Sequence, residues 1–133
     1  MGRIVFDANV VIALFDSKNI HHEEAVRIYL ASTSSSIHLS ALTYAEILTH
    51  PAGSNKLGDF VSNLASGGFE VEQISQELSI EIAKVRHTTR LKMPDACVLA
   101  LAKSLDSELI TADRQLAEKA KQLKVKTRLL GSS

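Results

Sequence analysis

Short apolar runs alternate with amphipathic stretches along the whole of this chain, and that alternation restricts the possible folds more than any other property. Ile4-Val5-Phe6, Ile37-His38-Leu39-Ser40, Phe69 to Ile74, Glu108 to Thr111 and Val125 to Leu130 read as strands. Between them lie segments of helical period. Val10 to Phe15 starts a helix, closed by the turn cluster Asp16-Ser17-Lys18-Asn19. His21 to Ala31 puts Ala25, Ile28 and Tyr29 on one face. Ala41 to His50 is stopped by Pro51, and Leu57 to Leu64 is ended by Gly67-Gly68. Glu77 to Arg90 turns Leu78, Ile82 and Val85 inward. Pro94, suited to a first helical position, opens a helix to about Leu105, and Arg114 to Leu123 forms the last one. Strands separated by helices imply βαβ units, and hence a central, mostly parallel sheet of about five strands in an α/β/α sandwich. No repeat or linker interrupts residues 1–133, which read as a single domain.

The bulk properties exclude several classes. The one cysteine, Cys97, rules out an internal disulfide and fits a reducing compartment. The longest strongly apolar run, Val10 to Phe15, is far too short to span a bilayer. The N-terminus has no basic region leading into an apolar core and cleavage site, so the expectation is a cytoplasmic protein without a membrane partner. Net charge is zero but unevenly spread: residues 1–79 hold 4 Lys/Arg against 9 Asp/Glu, and residues 80–133 hold 11 against 6. Such asymmetry marks either a face for a polyanion or ordinary solvated helices.

Ligands of open parallel sheets bind outside the carboxyl ends of the strands, so acids at those ends matter. Asp7 ends the first strand, Glu46 lies in the helix after the second, Asp95 follows Pro94, and Asp113 comes just after Leu109-Ile110-Thr111. Each has a structural role open to it. Asp7 and Asp113 suit helix caps, Asp95 suits a first-turn dipole position, and Thr43-x-x-Glu46 suits a capping box. Together they would gather four carboxylates at one edge, repelling and raising one another's pKa values. A divalent cation removes that repulsion. Oxygen ligands without a Cys/His cluster point to Mg2+ or Mn2+ rather than zinc.

Phe6-Asp7-Ala8-Asn9, Ser40 followed by Glu46, Met93-Pro94-Asp95-Ala96 and Thr111-Ala112-Asp113 resemble the PIN-domain ribonucleases, in the order and spacing of the VapC-type toxins of toxin–antitoxin pairs. The resemblance runs from Ile4 to about Leu130. It implies a PIN-like fold and metal-dependent hydrolysis of RNA phosphodiester bonds. By resemblance Asp7, Glu46, Asp95 and Asp113 match the acidic quartet for Mg2+ or Mn2+, and Asn9 and Thr111 match accessory polar positions. Asp113 would serve a second metal or the attacking water. The family often places Thr or Ser after the first acid, where this chain has Ala8. The resemblance further implies a cognate antitoxin packed across the groove and a homodimer, with the apolar helices of residues 10–30 and 41–66 available for either interface.

Lys84, Arg86, Arg90 and Lys92 precede Asp95, and Arg114 follows Asp113; a minority of these cations would contact RNA phosphates. The aromatics Phe6, Phe15, Tyr29, Tyr44, Phe60 and Phe69 look mostly like core, which favours recognition of RNA shape or a particular loop over a stacking platform. His21-His22, His38, His50 and His87 have no ligand spacing. Cys97 reads as a packed thiol, and Gly67-Gly68 lacks the Lys-Ser/Thr of a phosphate loop. Two other functions share parts of this pattern. A silent PIN-fold RNA-binding or scaffold module would be signalled by a lost acid, and all four are present. A phosphotransfer domain of the haloacid-dehalogenase or receiver kind wants a second acid at Asn9, or paired early acids with a late lysine.

Overall fold

The computed structural model describes residues 2–131. Their elements run β1 (Arg3–Phe6), α1 (Ala8–Phe15), α2 (His22–Ala31), β2 (Ser36–Ser40), α3 (Ala41–Ala52), α4 (Leu57–Ser66), β3 (Phe69–Glu72), α5 (Gln76–Thr89), α6 (Met93–Ser104), β4 (Glu108–Thr111), α7 (Arg114–Gln122) and β5 (Thr127–Leu129). The five strands form one sheet in the order β3-β2-β1-β4-β5, and every pairing is parallel. The expected α/β fold is therefore observed, with a sheet parallel throughout.

The topology follows from handedness. The chain steps outward from β1 to β2 to β3, then returns past β1 to β4 and β5. Right-handed crossovers place helices on opposite faces when the direction of travel reverses. Accordingly α1 to α4 supply Val10, Ile28, Ile47 and Leu64 to the face carrying Ile4, Phe6, Leu39 and Ile110. Helices α5 to α7 supply Leu78, Ile82, Leu99 and Leu116 to the face carrying Val5 and Leu109. Val5, Phe6, Leu39, Leu109 and Ile110 have no exposed surface, and each such side chain contributes about 1.5–3 kcal/mol by leaving water. β1 is central, covered on both faces, and so fixes the end from which Asp7 projects.

Several expected boundaries move, for identifiable reasons. Pro51 does not stop α3; it sits in the last turn, where its fixed φ is compatible, and the helix closes at Gly53, whose N–H reaches the carbonyls of His50 and Pro51. The capping box on Thr43 is also wrong. Helix α3 starts directly from β2, so Ser40 is the cap: its Oγ accepts from the Thr43 N–H at 3.0 Å, and Thr43 is a buried residue of the first turn. Strands β3 and β5 are shorter than the apolar runs because their partners end: Ser40 pairs with Glu72, and Leu109 to Thr111 span all of β5. Helix α1 begins at Ala8, two residues earlier than its apolar run, since Asp7 caps it. Of the aromatic residues Phe6 and Phe69 are buried, and Phe69 packs against Phe6, half-buried Tyr29 and the more exposed Phe15.

His38, buried on β2, has partners that no sequence spacing announces. Its Nδ1 lies 2.6 Å from Glu72 Oε2 on β3 and its Nε2 lies 2.7 Å from Ser36 Oγ. Both ring nitrogens are satisfied, and the pair clips the edge strand to the sheet.

Candidate functional site

The strand order places a switch point between β1 and β4, where the chain leaves in opposite directions, and such crevices are where open α/β sheets bind ligands. Side chains close this seam. Asp7 N–H continues the ladder to the Ile110 carbonyl at 3.0 Å. Asp7 Oδ1 accepts from Ala8 N–H at 2.8 Å; its Oδ2 accepts from Thr111 Oγ1 at 2.8 Å and from Asn9 Nδ2 at 3.1 Å. Asn9 Oδ1 in turn accepts from Ala112 N–H at 3.0 Å, and Thr111 Oγ1 accepts from Asp113 N–H at 3.0 Å. Asp113 caps α7 through the Leu116 N–H at 3.1 Å. The capping roles open to Asp7 and Asp113 are thus real, and they orient the same carboxylates that form the edge. Asn9 and Thr111 occupy the orienting positions expected of them.

The other two acids arrive from helices. Ser40 launches α3, which carries Glu46, while Lys92 and Pro94 start α6, with Asp95 in its first turn. The electrostatics show that the four form one neighbourhood. Burial raises the Asp7 carboxyl; hydrogen bonds from Thr111 and Ala8 lower it, and the charges of Asp113 and Glu46 raise it again. Asp95 is pushed up to about 6 by burial first, then by Asp7 and Asp113, with Lys92 opposing. Glu46, more exposed, is raised by desolvation of its carboxyl and then by Asp95. Burial, then Glu46, also raises the Cys97 thiol, which stays a packed side chain.

The donor set fits a hard divalent cation: carboxylates and neighbouring hydroxyl and amide oxygens, with protonation favoured because negative charge accumulates. Among the described residues, no three His, Cys, Asp or Glu side chains stand together as a ready-made cage. The acids share an edge rather than an enclosing shell.

Of the cations expected near the acids, Lys84 is spoken for: its Nζ lies 3.4 Å from Glu81. Among the described residues Arg86, Arg90, Lys92 and Arg114 make no ion pair, and all four are exposed. Arg86 Nε donates to the Leu91 carbonyl at 3.4 Å. A hollow of about 600 Å3 lies at the α5–α6 corner, lined by Arg86, His87, Arg90, Ala83, Leu91 and Met93. His87 has no ligand spacing in the sequence, and Met93 enters it only as part of the Met93-Pro94-Asp95-Ala96 motif. The signal that finds them is three-dimensional: two helix ends meeting at a bend. Exposed apolar side chains occur at Ile12, Phe15, Ile20 and Leu30, in the expected 10–30 region, and also at Ile74, Ile80 and Met93, which lie outside both regions considered for interfaces.

The model of the PIN domain matches residues 4–122. The chain belongs to the PIN domain family. Solved structures agree in fold. A toxin–antitoxin complex from Klebsiella pneumoniae matches with 27% identity and a TM-score of 0.66, covering 83% of this chain and 86% of that one. DNA-bound VapBC from Salmonella typhimurium matches at 18% identity and TM-score 0.76, covering 96% and 98%. The sarcin-ricin loop cleaving toxin VapC20 of Mycobacterium tuberculosis matches at 21% identity and TM-score 0.64, covering 80% and 86%. The last two likenesses speak for the fold alone. Among curated proteins none matches. No helix of the described residues of this PIN domain is long and apolar enough to cross a membrane.

Proposed function

We propose that this PIN domain is a divalent-cation-dependent endoribonuclease and the toxin of a toxin–antitoxin pair. The observation that carries the reading is the seam itself. Three acids, at the end of β1, in α3 and in α6, are raised by burial and by neighbouring carboxylates at the sheet's switch point, and the charge of Asp113 at the start of α7 acts on Asp7 and Asp95. Asp7, Glu46 and Asp95, with Asp113 beside them, would hold Mg2+ or Mn2+. Such an ion supplies a Lewis acid that polarises the phosphate and activates water.

The chain's own residues supply the rest. Thr111 and Asn9 hold Asp7 in one orientation, so the carboxylate does not swing away when charge changes. The unpaired Arg86, Arg90, Lys92 and Arg114 draw RNA phosphates toward an edge that is otherwise acidic. Water adds to phosphorus, and the P–O3′ bond breaks. The exposed Ile12, Phe15, Ile20 and Leu30 offer an apolar strip for a cognate antitoxin, and the Klebsiella relative is a toxin–antitoxin complex. Ile74 and Ile80 offer a separate apolar face for a second copy in a homodimer. On this reading the work is done in the cytoplasm.

The test is cleavage of labelled RNA with and without Mg2+ or Mn2+, beside Asp7→Asn and Asp95→Asn. Metal-dependent cutting by the wild type and loss in both variants is expected. Equal cutting by the variants would sink the site. RNA binding without cutting would mark a silent RNA-binding module.

A further inference from the structure

The hollow at the α5–α6 corner is built from two kinds of surface. Arg86, His87 and Arg90 supply cationic or hydrogen-bonding heads, and no acid lines it. Neither His87 nor Arg90 has a side-chain hydrogen bond or ion pair among the described residues. Lys84 on the same helix has one, with Glu81. The remaining wall is apolar: Ala83, buried Leu91, and Met93 at 44% exposure. The bend is rigid. Thr89 Oγ1 donates to the Val85 carbonyl at 2.8 Å and accepts from Leu91 N–H at 3.2 Å, while Arg86 reaches the Leu91 carbonyl. Arg90 ends α5 in the left-handed region, at φ 64°, where a glycine would sit more easily. Lys92, the next cation along, acts electrostatically on Asp95.

We propose that this corner is a nucleotide subsite for the RNA strand being cut, resting on the ribonuclease reading above. Arg86 and Arg90 take a backbone phosphate, and the neighbouring base lies against Leu91 and Met93, within reach of His87. Lys92 carries the strand from the hollow to the acids. A phosphate and an aromatic base on one ligand match a pocket that is cationic on one wall and apolar on the other. Unpaired RNA is the substrate class that can offer both, because its bases are free to turn out of the helix. A single-stranded or loop segment is therefore required beside the cleaved bond.

Arg90→Gly separates function from fold, since glycine suits the left-handed position. Binding of a short labelled unstructured RNA is measured by fluorescence anisotropy in an Asp7→Asn background, which blocks cutting. Arg90→Gly should weaken binding about tenfold and make its salt dependence shallower by about 0.7 in log–log slope, without lowering Tm. Met93→Ser should weaken binding about fivefold or more with the slope unchanged. In cleavage by the otherwise wild-type protein, Arg90→Gly should raise KM and leave kcat within about twofold.

Unchanged RNA affinity in both variants overturns the subsite. If only Arg90→Gly acts, and inorganic polyphosphate competes as well as RNA does, the corner is a charge patch and the base site falls. If sedimentation shows that either variant changes the oligomeric state, the face belongs to a second copy and the proposal falls. The two readings fail differently. RNA bound through the corner but never cut removes the ribonuclease and leaves the subsite, whereas metal-dependent cutting with an unaltered KM in Arg90→Gly removes the subsite alone. A wild type that binds no RNA removes both.

Discussion

His38 and Asp7 are equally buried, each 6% exposed, and they stand on adjacent strands. They lie on the same face of the sheet: His38 is in register with Val5, and Asp7 continues Val5's alternation. Every polar atom of both is hydrogen-bonded. They differ in charge. His38 faces Glu72 at 2.6 Å, a partner of opposite tendency. Asp7 is satisfied by Ala8, Asn9 and Thr111 but surrounded electrostatically by Asp113 and Glu46, so its carboxyl is raised. Hydrogen bonding and charge compensation are therefore separable. The first pair is complete within the chain. The second is geometrically complete and electrostatically open, as a seat for an external cation should be.

This contrast can be broken experimentally, most forcefully through catalysis. Asp7→Asn or Asp95→Asn should lower RNA cleavage by more than about 100-fold, beyond what loss of an orienting partner gives. Asp95→Asn should not lower Tm without metal, because it removes like-charge repulsion; in Asp7→Asn the amide NH2 replaces an oxygen that accepts from Ala8 or from Thr111 and Asn9, so the relief of charge is offset by a lost acceptor. His38→Ala should do the reverse, leaving kcat nearly intact. Thr111→Val keeps the buried shape but removes the donor to Asp7 and the acceptor for Asp113 N–H, so cleavage should fall about 10–100-fold in the same assay.

Stability separates the two regions next. Removing the imidazole in His38→Ala leaves Ser36 and Glu72 without their partner and should cost about 1–3 kcal/mol in a urea titration. Glu72→Gln, which still offers an acceptor, should cost less. A larger loss in Asp95→Asn than in His38→Ala would contradict the comparison.

The smallest effect is on pH dependence. Burial and the neighbouring Asp7 and Asp113 push the Asp95 carboxyl up to about 6 in the folded chain, above its ordinary 3.8. The folded state thus holds the proton more tightly than the unfolded one. The corresponding stability is fully present below the unfolded value and is lost as pH rises through 6. Without metal, Tm should be higher at pH 5 than at pH 8, and Asp95→Asn should flatten that slope. Mg2+ should raise Tm more at pH 8 than at pH 5, and chelation with EDTA should reverse the rise. A flat profile in the wild type would show that these carboxyls are not coupled.

Much of this was legible in the sequence, and what was not has a common cause. The strands, the sheet class and the four acids could be read because they rest on local period and on a rule about strand ends. Asp7, Asn9 and Thr111 could be nominated, yet their hydrogen bonds span up to 104 residues and needed the β1–β4 pairing. The start of α3 at Ala41 could be read, but the capping box open to Thr43 fails because Ser40 and Thr43 both fit the local pattern for a cap and the end of β2 decides between them. The His38–Glu72 pair required knowing that β2 and β3 are neighbours. The corner hollow required the angle between two helices, which no one-dimensional pattern encodes. Ala8 has no side-chain hydrogen bond to offer Asp7, but its backbone N–H does, at 2.8 Å.

The central position of β1 also has a consequence for how the protein is made. Residues 3–7 leave the ribosome well ahead of their partner strand β4 and the hydroxyl of Thr111, which come more than a hundred residues later. Until then β1 has only one of its two neighbours, and Asp7 lacks its lock. A nascent chain that has not reached Asp113 carries three of the acids and no closed seam, so the proposed site forms only after β4 has emerged. That timing gives a partner binding the α1–α2 surface a long interval in which to arrive before there is anything to restrain.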